Sequence, residues 1–536
     1  MAEISQQTKT LIRKFQDWYQ LNQTKTAPST IHVDEVTSVL AEFYEKIREV
    51  VDWREEHLMR RAAIERILKR RLLIEKNGKD IATPLVTELI RGGHFPNDKI
   101  PESKIIDVQN SLSKYFCILE NESGSEKEKQ KVRKFDWLLS IAACELEEVL
   151  SPPTREQALI DFMTELMEKK IEVKEGYFVI GGMSDEEKNL QIYVAVQRAL
   201  FKLDTPIINY NLLKRKYSNW SHLTKNDTII QEISKNIYAL WSDLDKILNH
   251  PMSKKFYKIC ERYDTPHLIL GDVISENPMG AIERISDTTT FETKITEAYN
   301  KRLKSSRSRV KRAAFYATLS ILITKTLLAL SFEIPFDKYV TGQFDYVVLG
   351  LNIVIPPILM FFLVLTIKPP RKENLQQVIM ETIKTTYEIK ENDIYPIKPT
   401  KKRGWLMHAS INILYLTTFF ISFGLIIWGL RYLNFGVLSI IIFLIFVALI
   451  SFAGVKIRER SKELEIVKRK ESFLIFFIDL FSLPIIRVGK WLSGQWTRYN
   501  IVVILLNFLI DMPFQKFVEF LEQWREFLKE KKEEIH

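Results

Sequence analysis

Hydrophobic and polar positions divide the chain into two regimes. The first 300 residues carry apolar side chains at helical spacing among many charges, and the remainder holds long apolar runs. Two of these runs, 313–334 and 344–367, are each long enough, at about 1.5 Å per residue, to cross the roughly 30 Å hydrocarbon core of a bilayer as a helix. Two more, at about 409–430 and 435–455, are joined by Arg431-Tyr-Leu-Asn434, which leaves room only for a tight turn. The pattern predicts an all-α polytopic membrane protein. Its parts are a helical cytoplasmic N-terminal domain with a small β-hairpin, four transmembrane helices in two hairpins, and amphipathic C-terminal helices. The expected units are a helical domain (1–300), a basic collar (301–312), a first transmembrane hairpin (313–367), a cytoplasmic loop (368–408), a second hairpin (409–455), and interfacial or re-entrant helices with an amphipathic tail (456–536).

Within the polar part, periodicity predicts helices over 1 to about 24 and about 32 to 76. The second has Val36, Leu40, Phe43, Ile47, Ile64, Ile67 and Leu68 on one stripe. Its second half carries Arg60, Arg61, Arg66, Lys69, Arg70 and Arg71, with Glu56 and Glu65 each four residues before a cation, which is the spacing of a solvated ion-paired face. Helices at about 101–119 and 127–150 follow, and Pro152-Pro153 opens another running to about Lys169. Ile171-Glu-Val173 and Tyr177-Phe-Val-Ile180 flank a turn and read as a β-hairpin. A helix before a hairpin outlines a winged helix, but acidic Glu156, Asp161, Glu165 and Glu168 oppose docking on phosphates. Ser184 with Glu187 is a capping box for a helix to about Lys202. Asp204-Thr-Pro206, His250-Pro251 and Asp264-Thr-Pro266 then punctuate further helices, and a last one, about 279–304, leads into the collar. If it continues unbroken into the first span, motion of the polar domain is transmitted mechanically to the membrane.

Composition sharpens this picture in a few places. The 18 glycines are roughly half the usual share of about 7%, which disfavours glycine-rich nucleotide folds. Cys117, Cys144 and Cys260 stand far apart without a ligand partner and read as reduced structural thiols. The net charge of +10 is concentrated beside the apolar runs, where topology accounts for it. The positive-inside rule puts the N-terminal part and the C-terminus in the cytoplasm, in the plasma (inner) membrane of a prokaryote. The opening residues lack a secretory apolar core, so insertion is expected to begin near Ala313. The runs 473–486 and 501–510 are short and touch Asp479 and Asp511. They read as interfacial or membrane-dipping helices, followed by a tail with Phe517, Val518, Leu521, Trp524 and Leu528 on one stripe.

Chemistry-bearing motifs are sparse. The chain has no phosphate loop, dinucleotide fingerprint, zinc pair or nucleophile elbow, so neither an enzymatic activity nor a cofactor has support. His267 follows Asp264 closely, but Pro266 between them suggests a turn contact rather than an acid–base pair. Lys325 is the most informative residue, because an ammonium near mid-membrane costs at least about 2.5 to 3.5 kcal/mol without a partner. Glu333 and Asp345 are expected towards the outer ends of the spans. In the second span Pro356 and Pro357 free the carbonyls near Asn352 and Ile353. Lys325 and Ile353 lie about 16 and about 21 Å from the cytoplasmic ends of their spans, a gap that a lysine bridges. The expectation is an intramembrane polar lock of Lys325 with Asn352 and the Ile353 carbonyl at the Pro356-Pro357 kink. Lys301, Arg302, Lys304, Arg307, Arg309, Lys311 and Arg312 are expected to contact anionic lipid headgroups or an acidic partner.

These features rank three functions. A membrane-anchored scaffold or regulatory protein, binding a protein partner through its cytoplasmic domain, comes first. A small-solute or ion transporter using the first hairpin is the alternative. A membrane tether for nucleic acid or ribosomes, resting on the basic helix, comes third.

Overall fold

The structure is a computed structural model that describes residues 3–23, 29–33, 56–74, 81–120, 128–174, 183–342, 345–365, 372–387, 394–397, 404–462, 464–466 and 473–498, with isolated positions between 517 and 531. The chain is all-α in class. It begins with α1 (Gln6–Gln23), α2 (Glu56–Ile74), α3 (Ala82–Arg91), α4 (Ser103–Glu120), α5 (Glu128–Leu150), α6 (Thr154–Lys170) and a short strand β1 (Ile171–Val173). There follow α7 (Asp185–Leu200), α8 (Thr205–Lys216), α9 (Thr228–Lys235), α10 (Ile237–Leu248), α11 (Ser253–Glu276) and α12 (Ala281–Ser286). The remaining elements are α13 (Thr288–Leu328), α14 (Tyr346–Leu365), α15 (Lys372–Thr386), β2 (Tyr395–Ile397), α16 (Trp405–Tyr432), α17 (Val437–Ser461) and α18 (Phe473–Arg498).

Local signals set several of these boundaries. Ser184 accepts a hydrogen bond from the Glu187 backbone N–H at 3.1 Å, as the capping-box spacing requires. Asp287 does the same for Thr290 at 3.1 Å, so the helix expected from about 279 instead breaks after Ser286 and restarts at Thr288. From there α13 runs 41 residues without interruption. It continues through two π-helical turns, Ala329–Glu333 and Asp337–Thr341, to a left-handed Gly342 at φ 65°. Glycine has no Cβ to oppose that conformation, and the chain reverses there.

Among the described residues, four helices are long and apolar enough to cross a membrane: Thr288–Val340, Tyr346–Leu365, Trp405–Tyr432 and Val437–Ser461. α13, α14 and α17 pack together through Met360, Phe446, Ile450 and Ile457. A second cluster, Leu430, Phe435, Ile440 and Phe443, ties α16 to α17, with Asn434 at φ 59° in the turn between them. Large apolar side chains on these helices, including Phe315, Leu327, Phe361, Leu414, Phe420 and Ile441, face outwards. α18 is one helix of 26 residues, not the short segment 473–486 expected from its apolar run. It packs on α17 at Gly489, where a Cβ would stand 1.9 Å from the Ala448 carbonyl oxygen, so only glycine permits the approach. Ser422 of α16 donates to the Phe481 carbonyl at 2.7 Å, and Arg487 lies 4.8 Å over the Tyr415 ring. The run 501–510 lies outside the described residues, whereas Phe517, Leu521, Trp524 and Leu528 of the tail stripe are described as helical, with Phe517, Trp524 and Leu528 exposed.

The polar domain has one core, and elements from beyond the first apolar helices enter it. Val378, Tyr387, Ile397 and Leu464 are buried there with Ile64, Val194, Phe256 and Ile295. The stretch between the two pairs of apolar runs, expected as a cytoplasmic loop carrying a helix near 373 to 390, supplies that helix as α15, which packs on α11 and α13. The strand expected at Ile171–Val173 is present and has a distant partner: Ile171 pairs with Tyr395 and Val173 with Ile397, in parallel, while the other arm of the expected β-hairpin, within 175–182, lies outside the described residues. Alternation identified the strand but could not reveal its partner, which is more than 200 residues away. The Asp264-Thr-Pro266 break is also absent. α11 passes through Pro266 because its flanks, Leu268, Ile269 and Leu270, are buried against α6 and α7, and packing outweighs the lost backbone bond.

The basic face of α2 turns inwards rather than to solvent. Arg61 is 3% exposed and pairs with Asp204, while Arg70 and Arg71 converge on the buried Glu88. Of the six cations, Lys69 is the one whose side chain is about half exposed, and it pairs with Asp136 at 2.6 Å.

Asn374 of α15 joins three segments. Its amide donates to the Tyr299 hydroxyl at 3.0 Å and to the Leu464 carbonyl at 2.6 Å, and its oxygen accepts from the Ile466 N–H at 2.8 Å. Replacing it with leucine strands buried groups on α13 and beyond α17, and should lower stability by about 2 to 4 kcal/mol. Tyr299→Phe, which removes one of these partners, should cost about 1 kcal/mol. Thermal unfolding of the detergent-solubilised protein measures both.

Candidate functional site

The site forms where α13, α14 and α17 converge. Lys325 on α13 is fully buried, and its ammonium meets Glu333 Oε1 at 2.5 Å. The Asn352 side-chain amide, from α14, donates to Glu333 Oε2, and Ser439 Oγ of α17 lies 3.4 Å from the same oxygen. Lys325 Nζ also sits 5.5 Å over the Phe446 ring of α17, an additional favourable contact for a cation. Ser439 also lies beside Asp337, so Asp337, Ser439, Glu333 and Lys325 form a line of neighbouring polar groups.

Backbone geometry brings Glu333 inwards. Pro335 has no N–H to give to the Ser331 carbonyl, and the helix passes this point as the π turn Ala329–Glu333. Lys325, Ala329 and Glu333 are all buried on the inner face. The two charges are eight residues, or about 12 Å of helical rise, apart, and two long side chains close that distance. α14 continues through Pro356 and Pro357, both buried, and presents Asn352 one turn before them.

The lock expected from the sequence therefore has a different acceptor. Lys325 and Asn352 are brought together, but through the Glu333 carboxylate rather than the Ile353 carbonyl. Glu333 was expected at the outer end because the apolar run stops at Ile334; the helix instead continues past Pro335, so Glu333 is interior. The buried Asn352 retains one side-chain oxygen, Oδ1, with no hydrogen-bond partner. The collar lies on α13: Arg302 pairs with Asp272, its Nη2 2.9 Å from the carboxylate, and Lys301, Lys304, Arg307, Arg309, Lys311 and Arg312 are exposed.

A second buried charge, which the sequence reading passed over, makes an instructive contrast. Glu145 of α5 accepts from Lys114 at 2.6 Å, Ser111 at 3.0 Å, Tyr115 at 2.8 Å and the Trp220 indole at 2.8 Å. Lys114 also donates to the Trp220 carbonyl at 2.9 Å. Burial lowers the Lys114 pKa, with Glu145 opposing that shift, and burial raises the Tyr115 hydroxyl well above its usual value. Every polar atom of Glu145 is satisfied, so this network is a closed structural brace. A lysine on the apolar stripe Val108, Leu112, Tyr115, Ile118 was the available signal.

His267 and Asp264 do not form an acid–base pair. His267 Nδ1–H donates to the Tyr263 carbonyl at 2.5 Å, and burial lowers its pKa to about 4. Asp264 is pushed by burial from 3.8 up to about 7, against the Lys202 ammonium 3.6 Å away. Glu147 is likewise raised by burial to about 7, with Arg60 and Arg61 opposing. Among the described residues no His, Cys, Asp and Glu cluster has the makings of a metal site.

No family model, curated protein or solved structure matches the chain.

Two predictions follow from these charges. Lys325→Met leaves Glu333 buried without its cation and should cost about 3 to 5 kcal/mol, whereas Lys325→Met with Glu333→Leu should recover most of that loss. Thermal unfolding of the three proteins tests the pair. For Asp264 and Glu147, the folded-state pKa is raised above the unfolded value, so the folded protein holds the proton more tightly. Their contribution is least unfavourable below about pH 4, and stability falls as pH rises through the window up to about 7. Asp264→Asn should flatten that part of the melting-temperature profile; an unchanged slope would assign it to other groups.

Proposed function

We propose that the chain is an integral membrane protein that acts as a membrane-anchored scaffold or regulatory protein through its helical N-terminal domain. The observation that carries this reading is the unbroken passage of α13 from Asp287, beside the polar core, into the apolar bundle. A flexible tether would need no such helix. α15 and the segment Leu464–Ile466 grip the same core, so three chain passages fix the domain to the bundle. Membrane embedding is supported by the inside-out distribution of side chains: Lys325, Glu333, Asn352 and Ser439 are interior while phenylalanines and leucines cover the exterior. The exposed cations of the collar sit at the foot of the first apolar helix, as a cytoplasmic domain beside anionic headgroups requires. The partner in this reading is a protein bound by the cytoplasmic domain.

Transport is the second reading, favoured by one observation: the line of polar groups from Asp337 to Lys325 lies among three of the apolar helices. The two readings separate in proteoliposomes reconstituted with the full chain and, in parallel, Lys325→Met. A scaffold gives ion and solute flux no higher than empty vesicles in both. Flux in the wild type that vanishes or changes selectivity in the variant would replace the scaffold with a transporter.

A further inference from the structure

We propose that the Glu333 carboxylate, together with Asn352 and Ser439, forms a binding site for a small hard monovalent cation, sodium, and that the Lys325 ammonium occupies this site as a tethered competitor.

The donor inventory leads to this site. Glu333 Oε1, Glu333 Oε2, Asn352 Oδ1 and Ser439 Oγ are four oxygens contributed by three helices, and all three side chains are buried. Asn352 Oδ1 is the informative atom. An amide oxygen sealed from water at 1% residue exposure, with no hydrogen-bond partner, carries a cost that a bound cation would remove. Its own amide is already held by Glu333, which fixes the oxygen beside the carboxylate. The closed Glu145 network shows how this chain satisfies a buried carboxylate when nothing further is to be bound.

Charge selects the class of ligand. When the lysine withdraws, the site carries the single negative charge of Glu333, which one monovalent cation balances. A divalent ion prefers six or more oxygens and more carboxylate charge, and the softer transition metals prefer imidazole or thiolate; neither group is among the contacts. Lys325 has a place to go. Its ammonium already stands 5.5 Å over the Phe446 ring, and a swing closer to that face frees Glu333 without stripping the ammonium of every contact. The π turn that carries Glu333 is the adjustable part of α13, and Ser439 links the site to the half-exposed Asp337 near the end of the helix, giving an ion a polar approach.

The proposal goes beyond the scaffold reading and does not depend on transport, because binding is measurable whether or not ions cross. The test is thermal unfolding of the full chain in detergent, titrated with sodium chloride against choline chloride at equal ionic strength and fixed pH. Wild type should show a weak sodium-specific rise in melting temperature. Lys325→Met, with its competitor removed, should bind sodium at least about tenfold more tightly, and Glu333→Gln should show no sodium-specific rise. Ser439→Ala keeps the Lys325–Glu333 pair intact and should weaken the sodium response, while lowering the melting temperature in choline less than either charge variant does. It therefore guards against misfolding of the charge variants. A folded Lys325→Met protein that responds equally to sodium and choline overturns the site. So does a sodium response that survives unchanged in both Glu333→Gln and Ser439→Ala, or a Lys325→Met protein stabilised by acid but not by sodium, which would make the ligand a proton.

Discussion

The continuity of one helix constrains everything else in this chain. α13 begins at a water-facing cap, Asp287, and with the π turns that continue it forms a helical stretch of 53 residues, Thr288–Val340, that runs into the apolar bundle. Its backbone hydrogen bonds are internal throughout, so no unsatisfied group marks the passage from polar to apolar surroundings. Only the side chains change, from Phe291, Ile295 and Tyr299 packed in the polar core, through the exposed collar, to Lys325 and Glu333 inside the bundle. One helix is thus packed at both ends, in the polar core and in the bundle. The grip of Asn374 on Tyr299 and on the segment beyond α17 strengthens this linkage, because the same residue touches chain entering and chain leaving the bundle.

Two buried carboxylates divide the roles of the two halves. Glu145 in the polar domain meets four donors and has nothing left to offer. Glu333 in the bundle is held by Lys325, Asn352 and Ser439, yet its neighbour keeps an idle oxygen. Removing a charge from water costs several kcal/mol per ion even after relaxation, and a mutual pair recovers this only with good geometry and satisfied neighbours. The Glu145 network meets that condition fully, as a brace does. The bundle meets it incompletely, and the incomplete part lies beside a π turn, where a helix has slack.

Much of the architecture was legible in the sequence, for a physical reason. Apolar runs of bilayer length and helical stripes are local signals, so the four long apolar helices, the cap at Ser184 and the intervening helix near 373 to 390 could all be read directly. Contacts between distant segments have no such local trace. The strand at Ile171 was recognised but not its partner at Tyr395, and nothing near Lys372 announced that α15 belongs to the core of the first 300 residues. The basic run on α2 misled because charge alone looks like surface; Arg70 and Arg71 are internal because Glu88 lies between them on the next helix.

The candidate site shows the same limit at the scale of single residues. Lys325 stood out because an ammonium among leucines demands a partner, and Asn352 because it precedes two prolines. The partner itself was discounted because the apolar run stops at Ile334, just before Pro335, which put Glu333 towards the outer end. Proline forbids one backbone bond, not the helix; a π turn absorbs the missing donor and in doing so rotates the following side chain. Sequence reasoning that treats proline as a terminus will therefore misplace any charge just before it. The demand made by Lys325 was the sounder guide: a buried cation whose energy cannot be met by the residues assigned to it is itself a reason to move a helix end outward until a carboxylate comes within reach.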